Sequence, residues 1–481
     1  MVLGLAAGAA LALPGPDASA NEYTDIASAF DEGNALNIFL GVDYAFQAKR
    51  AAIKRELSGS TGSGAPVDTI PIVKDLRFSE DKHVITPHIE IGLFHDVQLR
   101  VALPIVLSLN RSYEFDQSAS PCVFPGSGST PTCVDRTNST TLIDHLLPDG
   151  SSGKLGFDAD DPTTNFDLNS KTVFKSVGRS GLDTINVGLS WAPMNQARDD
   201  TLPTWILTAE FHISIGKLMK FDRLDPQSQT GVSTGAHEFR AQTSVSKRTS
   251  WAEPFIVFWW QAPFAVRGDD PTDPDSSAFW NVGFGQRETL PQQQAGTMFG
   301  LNATLFENAK EQQRISLELM GTVMSHFAGQ GYSEIWEILA YAGDVKNDPA
   351  APLAIDLDPT RSGDALVSHP GTSTIENYMS FAGRIGINGQ VGPHAKLSAA
   401  FELGRDQTHA ITYDDAGVVF PACSATHAPP NCEGPPADNL VTPGTREVNP
   451  LHKQLVDVAG RRFIIDDSTT YSFLVSGQLL F

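Results

Sequence analysis

Apolar and polar residues alternate through the last stretch of the chain, residues 471–481. Polar residues hold most of the intervening positions; the apolar positions are Tyr471, Phe473, Val475, Leu479 and Phe481. Successive side chains of a strand point to opposite faces, so this stretch predicts a strand with one apolar face. A tilted strand of about 9–11 residues is long enough to cross a bilayer.

The same alternation recurs along the chain often enough to predict about twelve strands. In the clearest hairpin, a tight turn at residues 94–96 is followed by apolar residues at all odd positions from Val97 to Leu109, which predicts one uninterrupted strand. A first strand is expected from Leu36 to Phe46, and the basic, Gly/Ser-rich residues 49–64 are expected to form a connection.

The predicted connections alternate between short and long. Structureless connections of about seventy residues, as expected after Asn110, are rare in compact soluble domains but ordinary on the outer side of bacterial barrels. The pattern therefore predicts an all-β fold: a transmembrane antiparallel up-and-down β-barrel of about twelve strands, with short periplasmic turns and long extracellular loops.

Composition excludes several other classes of protein. No run of 18 or more apolar residues occurs inside the chain, which excludes helical membrane spans. The net charge of -22 argues against nucleic acid or anionic lipid as a partner.

The beginning of the chain has the features of an export signal. Val2 to Leu13 form an apolar run, and Ala18-Ser19-Ala20 fits the small-residue cleavage rule, although no Lys or Arg precedes the apolar run. We expect a signal peptide over residues 1–20, a periplasmic N-terminal segment over 21–33 that lies in the periplasm or in the barrel mouth, and the barrel over 34–481.

The four cysteines form two closely spaced pairs, Cys122 with Cys133 and Cys423 with Cys432, among Pro, Gly, Ser and Thr. Even pairing in an exported chain predicts two small loop disulfides. Neither pair has the CxxC spacing of a metal site, and no metal or other cofactor is expected.

Charged residues keep to one parity of the predicted strands, whereas the other parity has none in its central parts. A charge at bilayer depth on the lipid face costs about 2 to 4 kcal/mol for Arg or Lys, so the charged parity is assigned to the lumen. Two interpretations remain open: a narrow, mildly cation-preferring path, or an ion-pair network that fills the barrel. The predicted lumen residues are Asp43, His88, Glu90, Arg100, Glu210, His212, Glu238, Arg240, Glu253, Glu318, Arg384, Lys396 and Glu402.

Aromatic residues mark the expected membrane interfaces. Trp191 and Trp205 flank a turn, as interfacial girdle residues would, and Tyr471, Phe473 and Phe481 belong to the predicted closing strand.

One outer loop contains a stretch with helical spacing, residues 332–339. Ser333 is expected to cap it, and Tyr332, Ile335, Trp336 and Leu339 are the candidate residues of a lid or an apolar docking surface. The alternative is that this helix packs against neighbouring loops.

Two acidic loop clusters, at residues 158–161 and 269–275, lack the EF-hand spacing, so solvated loops are favoured over calcium sites. Enzymatic activity is not expected. Ser325-His326 and Ser368-His369 place a hydroxyl beside a base, but adjacent strand residues point to opposite faces.

The closing strand, which ends on Phe481, resembles the last strand of bacterial outer-membrane barrels, which the barrel-assembly machinery reads as a signal. Residues 92–104 (GLFHDVQLRVALP) and 180–191 (SGLDTINVGLSW) resemble outer-membrane proteins linked to meta-pathway phenol degradation and related hydrophobic-compound transporters.

The resemblance implies the outer membrane of a Gram-negative bacterium, with lipid and lipopolysaccharide around the barrel and the assembly machinery as a partner during insertion. It also implies passive uptake of small hydrophobic or aromatic molecules through a channel. The alternative is a structural or surface-interaction protein that works through its disulfide-tied loops and has a plugged lumen.

Overall fold

The protein is described here by a computed structural model that covers residues 23–31, 34–57, 70–126, 128–148, 156–162, 171–264, 291–356, 366–412, 416–417, 419, 423–424, 440–441 and 447–481. The predicted signal peptide and the second acidic cluster lie outside the described residues. The fold is nearly all β, as predicted.

Twelve antiparallel strands form one closed barrel in the described part of the chain. The last strand pairs with the first over most of its length, which closes the sheet. Consecutive strands are neighbours throughout, so the prediction of an up-and-down barrel is confirmed. The strands are β1 (Ile38–Glu56), β2 (Ile72–Phe94), β3 (Val97–Ala102 and Ile105–Phe115), β4 (Arg179–Leu182 and Thr184–Met194), β5 (Thr204–Ser214), β6 (Glu238–Ser246), β7 (Ala252–Pro263), β8 (Gln294–Asn308), β9 (Gln313–His326), β10 (Tyr378–Val391), β11 (Ala395–Asp406) and β12 (Phe463–Leu480).

Short elements decorate the barrel. The three helices in the described residues are α1 (Thr140–Ile143), α2 (Trp336–Ala342) and α3 (Gln454–Asp457), with a 3-10 turn at Pro226–Ser228. The remaining short strands are Ala29–Asp31, Asn34–Leu36, Phe157–Asp158, Thr172–Lys175, Gly329–Gly331, Ile355–Asp356, Leu366–Val367, Ser373–Ile375 and His409–Thr412. Within the described residues, no helix has both the length and the apolarity needed to cross a membrane.

The outer face of the barrel wall carries a band of exposed apolar side chains. Lipid is the environment that such a band requires, because water would make each exposed side chain unfavourable by about 25 cal/mol per Å² of apolar surface. The band includes Leu40, Val42, Leu189, Phe211, Phe258, Phe299, Leu319, Ile385, Ile387, Phe401, Phe473 and Leu479.

Charged pairs end this band on the loop side. Arg50 pairs with Asp81, and Arg405 pairs with Asp467, all on the outward parity or in the adjoining bulge. The membrane-spanning part of the wall therefore lies on the periplasmic side of these four residues.

The loop-side ends of β1, β2, β3 and β12 continue past the membrane and share a hydrophobic core with the loops and α2. We call this unit the loop-side cap. Its core includes Ile53, Leu76, Phe78, Tyr113, Phe115, Phe157, Phe174, Ile338, Leu339, Leu353, Ile411 and Phe463.

The cap explains two wrong predictions. Residues 49–56 belong to β1 rather than to a connection, because Ala51 and Ile53 are fully buried in the cap core. The long connection after Asn110 is not structureless, since it supplies α1, several short strands and buried aromatic rings to the same core.

Strand β3 is also not the single strand predicted from alternation. It breaks at Leu103-Pro104, where proline lacks a backbone donor. A register shift between β2 and β3 then places Val106 opposite Val84, and Leu109 becomes buried rather than lipid-facing.

Candidate functional site

The predicted lumen residues all occupy the parity opposite to the exposed apolar band, which is the inner face of the wall. On β1 and β2, Asp43 lies 3.2 Å from the ring of His88 and accepts a hydrogen bond from Ser476 at 2.6 Å. Gly41 makes this arrangement possible, because a Cβ at that position would lie 2.2 Å from the His88 ring. The absence of a side chain at Gly41 therefore provides the space that the His88 ring occupies on the inner face.

A chain of alternating charges continues around the wall from β2 to β6. Arg100 donates to Glu90 at 3.2 Å and lies 3.9 Å from Glu210. His212 in turn contacts Glu210 at 2.7 Å and Glu238 at 3.4 Å. Each charge thus has a neighbour of opposite or potentially opposite sign, as polar groups at this depth require.

The other side of the lumen has a second, separate group. Arg384 lies 3.0 Å from Glu318, which also accepts a hydrogen bond from Asn388 at 3.3 Å. Glu402 is the cross-strand partner of Arg384. Away from this group, Arg240 stacks over the ring of Trp259, with its guanidinium carbon 4.6 Å from the ring centroid.

Several of these inner side chains remain accessible to water. The side chain of Asp43 is 36% exposed, that of Arg100 31%, and that of Glu238 27%. All three lie between the two edges of the apolar band, so the lumen contains solvent-accessible space at bilayer depth.

The segment formed by residues 23–31, here called the N-terminal segment, crosses the periplasmic mouth of this lumen. Tyr23 accepts a hydrogen bond from Arg384 at 3.2 Å, and its ring stacks on Phe255 with centroids 5.7 Å apart. Asp25 forms an ion pair with Lys396. The segment thereby contacts strands on different sides of the barrel.

Glu253 lies at this mouth rather than deep in the lumen. It shares a hydrogen-bonded cluster with Thr24 and Ser246, whose hydroxyls lie 2.8 Å apart. A cleft of about 330 Å³ opens beside the cluster, between the N-terminal segment and the β4–β5 and β6–β7 turns.

The opposite end of the lumen is covered by α2. The helix begins at Trp336, two residues later than a Ser333 cap would place it. Ser333 does not cap it, because its hydroxyl bonds with Ser373 instead. Ile335, Trp336 and Leu339 are fully buried. Three of the four predicted lid residues are therefore packed inside the cap, and the fourth, Tyr332, is half-buried against the Trp336 ring.

Trp336 reaches from α2 toward the inner wall. Its indole N–H donates to the backbone carbonyl of Pro370 at 2.8 Å. Its ring lies in one cluster with Tyr332, Val106, Leu109, Met219 and Val232. The loop-side end of the lumen thus contains an apolar cluster.

Buried charge anchors α2 to the barrel. Glu337 of the helix pairs with Arg179 of β4 at 3.0 Å, and each side chain is only 1% exposed. Arg111 and Arg179 both face the Trp336 ring, at 5.9 Å and 5.1 Å from its centroid.

A second anchor joins β1 to the segment before α2. Lys49 contacts Glu334 at 2.7 Å and Asp406 at 3.1 Å. The ammonium of Lys49 is thereby held between two carboxylates. Burial acts to raise the pKa of Asp406, yet Lys49 and hydrogen bonds from Ser380 and Ser468 lower it to about 2.

Three rings stack beside this anchor. Tyr378 lies between His326 and His409, with centroid separations of 4.1 Å and 4.0 Å. Burial is the main cause that lowers the pKa of His326 to about 4, so this ring is neutral at pH 7. Its partner is Ser380, at 3.1 Å, and not the adjacent Ser325.

Sequence reasoning missed Lys49 because residues 49–64 were assigned to a connection, and it did not single out Asp406. A usable signal was present: Lys49 continues the inward parity of Asp43 on β1, with no break between them. No comparable signal identified Arg179 or Glu337, whose contact depends on how a loop folds back.

The remaining predicted residues are placed as follows. Trp191 and Phe481 are exposed on the periplasmic edge of the wall, Tyr471 and Phe473 are exposed further toward the loops, and Trp205 is half-buried and donates to Thr243 at 2.8 Å.

Cys122 and Cys133 form a disulfide, as predicted. Cys423 is also disulfide-bonded, whereas Cys432 lies outside the described residues. In the first acidic cluster, Asp160 contacts Lys175 at 3.1 Å.

The sequence matches no protein-family model, and a search of curated proteins found no significant match. Among solved structures, the chain is similar to the COG4313 outer membrane channel from Pseudomonas putida F1, with a TM-score of 0.40 and 8% identity over 97% of this chain and 100% of that one. It is also similar to the TodX monoaromatic hydrocarbon channel deltaS2 mutant, with a TM-score of 0.31 and 9% identity over 93% of this chain and 90% of that one. A third match is the outer membrane protease OmpT from Escherichia coli, with a TM-score of 0.27 and 8% identity over 92% of this chain and 97% of that one. These likenesses are too distant to carry an argument about function.

Proposed function

We propose that this barrel is a channel of the Gram-negative outer membrane for passive uptake of small hydrophobic or aromatic molecules. The observation that carries the proposal is the solvent-accessible charge inside the wall at bilayer depth, at Asp43, Arg100 and Glu238. A lumen packed for purely structural reasons would bury such groups as completely as the cap buries Arg179 and Glu337.

The path through the lumen is closed at both ends, and noncovalent contacts hold each closure in place. The loop-side cap closes one end through Trp336 and its apolar neighbours. The N-terminal segment closes the other end through Tyr23 and Asp25. Transport requires the cap and the N-terminal segment to open transiently. Loop and lid motions of this kind occur on the microsecond-to-millisecond scale.

The order of surfaces supports the substrate class. Once the cap has opened, a molecule entering from outside meets the apolar cluster around Trp336, and this cluster favours rings and hydrocarbon over sugars. It then meets a wall in which carboxylates outnumber Lys and Arg, which disfavours anions. Neutral aromatic molecules with a small polar substituent fit both surfaces.

Solute flux into proteoliposomes tests the proposal. A neutral aromatic solute should enter faster than a sugar of similar size, and an anion should enter slowest. In the Asp43→Asn variant the preference for cations over anions should fall, whereas Glu376→Gln, at an exposed loop carboxylate, should leave it unchanged. A folded, heat-resistant barrel that passes none of these solutes would refute the channel.

A second function has its own support. The loop-side cap has a separate hydrophobic core and a disulfide, as a surface-interaction protein would need. In that case the barrel would serve as an anchor, and the flux assay would be silent for every solute while the cap stayed folded.

A further inference from the structure

Three residues form a row on the outer face of the barrel at the loop-side edge of the apolar band. Thr469 of β12 is the cross-strand partner of both Arg405 on β11 and Arg50 on β1. The three therefore lie at one level on adjacent strands. We call them the arginine row.

The arginine row faces the membrane and not the lumen. Register is continuous from Arg405 back to Ala395, and Leu397, Phe401 and Leu403, which share the parity of Arg405, are exposed apolar residues. The same holds for Thr469, which shares its parity with Tyr471 and other outward residues of β12.

The level of the row is that of lipid phosphate. One step toward the periplasm, the outer face carries Leu403 and Tyr471, which are exposed and suit the edge of the hydrocarbon layer. The headgroup region begins directly above that edge, and a guanidinium there meets phosphate oxygens, for which its planar donor geometry is suited.

The two guanidinium groups are held in place by ion pairs, and each keeps hydrogen-bond donors that a lipid can reach. Arg405 lies 3.3 Å from Asp467, and its side chain is 70% exposed. Arg50 lies 2.7 Å from Asp81, also donates to the backbone carbonyls of Lys49 and Glu80, and remains 42% exposed. A guanidinium has five N–H donors, so each arginine has donors left for a phosphate.

Spacing indicates more than one phosphate. Two steps between neighbouring strands separate Arg50 from Arg405, which corresponds to about 10 Å between backbones. Each arginine can keep its carboxylate contact and still bind a phosphate of its own, so a lipid with two phosphates can engage one at each arginine.

We propose that the arginine row binds the phosphate groups of lipopolysaccharide in the outer leaflet. The proposal rests on the transmembrane fold and not on the channel function. The charge near the phosphates decides binding, and not the net charge of -22 on the whole chain. At this level the outward groups include the two arginines, each beside one carboxylate. Those carboxylates weaken the site, so removing one should strengthen binding.

The test uses the intact, refolded protein in detergent, with purified lipopolysaccharide as the probe and native mass spectrometry or a quartz microbalance as the readout. The double variant Arg50→Gln/Arg405→Gln should bind about ten- to thirtyfold more weakly, since each basic residue at a membrane surface strengthens binding about three- to fivefold. The matched control is Arg223→Gln/Arg461→Gln, at two ion-paired arginines of the loops, which should bind as the unaltered protein does.

A third variant keeps the test decisive if the double variant folds poorly. Asp467→Asn frees Arg405 without removing a cation and should tighten binding severalfold. The proposal would be overturned if the double variant bound as well as the unaltered protein, or if the control lost as much binding as the double variant. Weaker binding by Asp467→Asn would overturn it as well. Preference for phosphatidylglycerol vesicles over lipopolysaccharide would also overturn it, because the site would then recognise a glycerophospholipid.

Discussion

Replacing Glu337 by Gln should loosen α2 from the barrel. Glu337 and Arg179 lie 3.0 Å apart, each only 1% exposed, and they connect the helix directly to β4. The substitution keeps the shape of the side chain and removes its charge. The guanidinium of Arg179 then stays buried without its carboxylate.

Removing one partner of a buried ion pair costs about 3–5 kcal/mol. Arg179 retains hydrogen bonds to the backbone carbonyls of Lys220 at 3.0 Å and Gly231 at 3.3 Å, and it still faces the Trp336 ring. We therefore expect the lower end of that range, about 3 kcal/mol, which corresponds to an increase on the order of a hundredfold in local opening.

Hydrogen exchange at the backbone amides of α2, followed by mass spectrometry in detergent or nanodiscs, measures this opening. The control is Arg461→Gln, which breaks an exposed pair with Asp144 and should cost about 1 kcal/mol or less. If Glu337→Gln changes α2 exchange no more than Arg461→Gln does, the buried pair is not what holds the helix.

Three further outcomes follow from single sites. The pKa of His326 is lowered in the folded state to about 4 from an ordinary 6.5, so the unfolded state binds more protons between these values. The free energy of unfolding should therefore fall as the pH drops through that window, by at most about 3 kcal/mol. His326→Gln should remove this pH dependence of the unfolding midpoint. Phe401→Arg, on the lipid face, should cost about 2–4 kcal/mol in a refolding assay, whereas Gln47→Arg, on the exposed inner face, should cost far less, and similar costs would contradict the face assignment. Gly41→Ala should displace the His88 ring and lower barrel stability by about 1 kcal/mol in urea titrations, and an unchanged midpoint would show that the ring has another place to go.

The barrel itself could be predicted because lipid imposes a simple rule on the sequence. Every spanning strand must keep charge off one face, and the resulting alternation is visible without any partner strand. The strand count and closure followed from that rule. Prediction failed where the environment is no longer lipid: β1 continues to Glu56 because a loop-derived core, and not the membrane, covers its end.

The inner-face residues were identifiable for the same reason, but their partners were not. Asp43 and His88 sit on adjacent strands, so register brings them together. Contacts such as Lys49 with Glu334 join residues that are far apart in sequence, through a loop whose path has no periodic signal. The bulge that turns Leu109 inward was invisible as well, because a register shift leaves the apolar pattern unchanged.

Single-channel conductance in a planar bilayer tests whether the lumen is an aqueous path that the N-terminal segment closes at the periplasmic end. The unaltered protein is compared with a Tyr23→Ala/Asp25→Ala variant, which loses the contacts to Arg384 and Lys396, and with Asp199→Ala, an exposed control on the β4–β5 turn. A larger time-averaged conductance is expected for the double variant alone, because the path is then closed only by the cap, which opens transiently. Equal conductance in all three proteins, or silence from the double variant once its segment is shown to be accessible to protease, would contradict it.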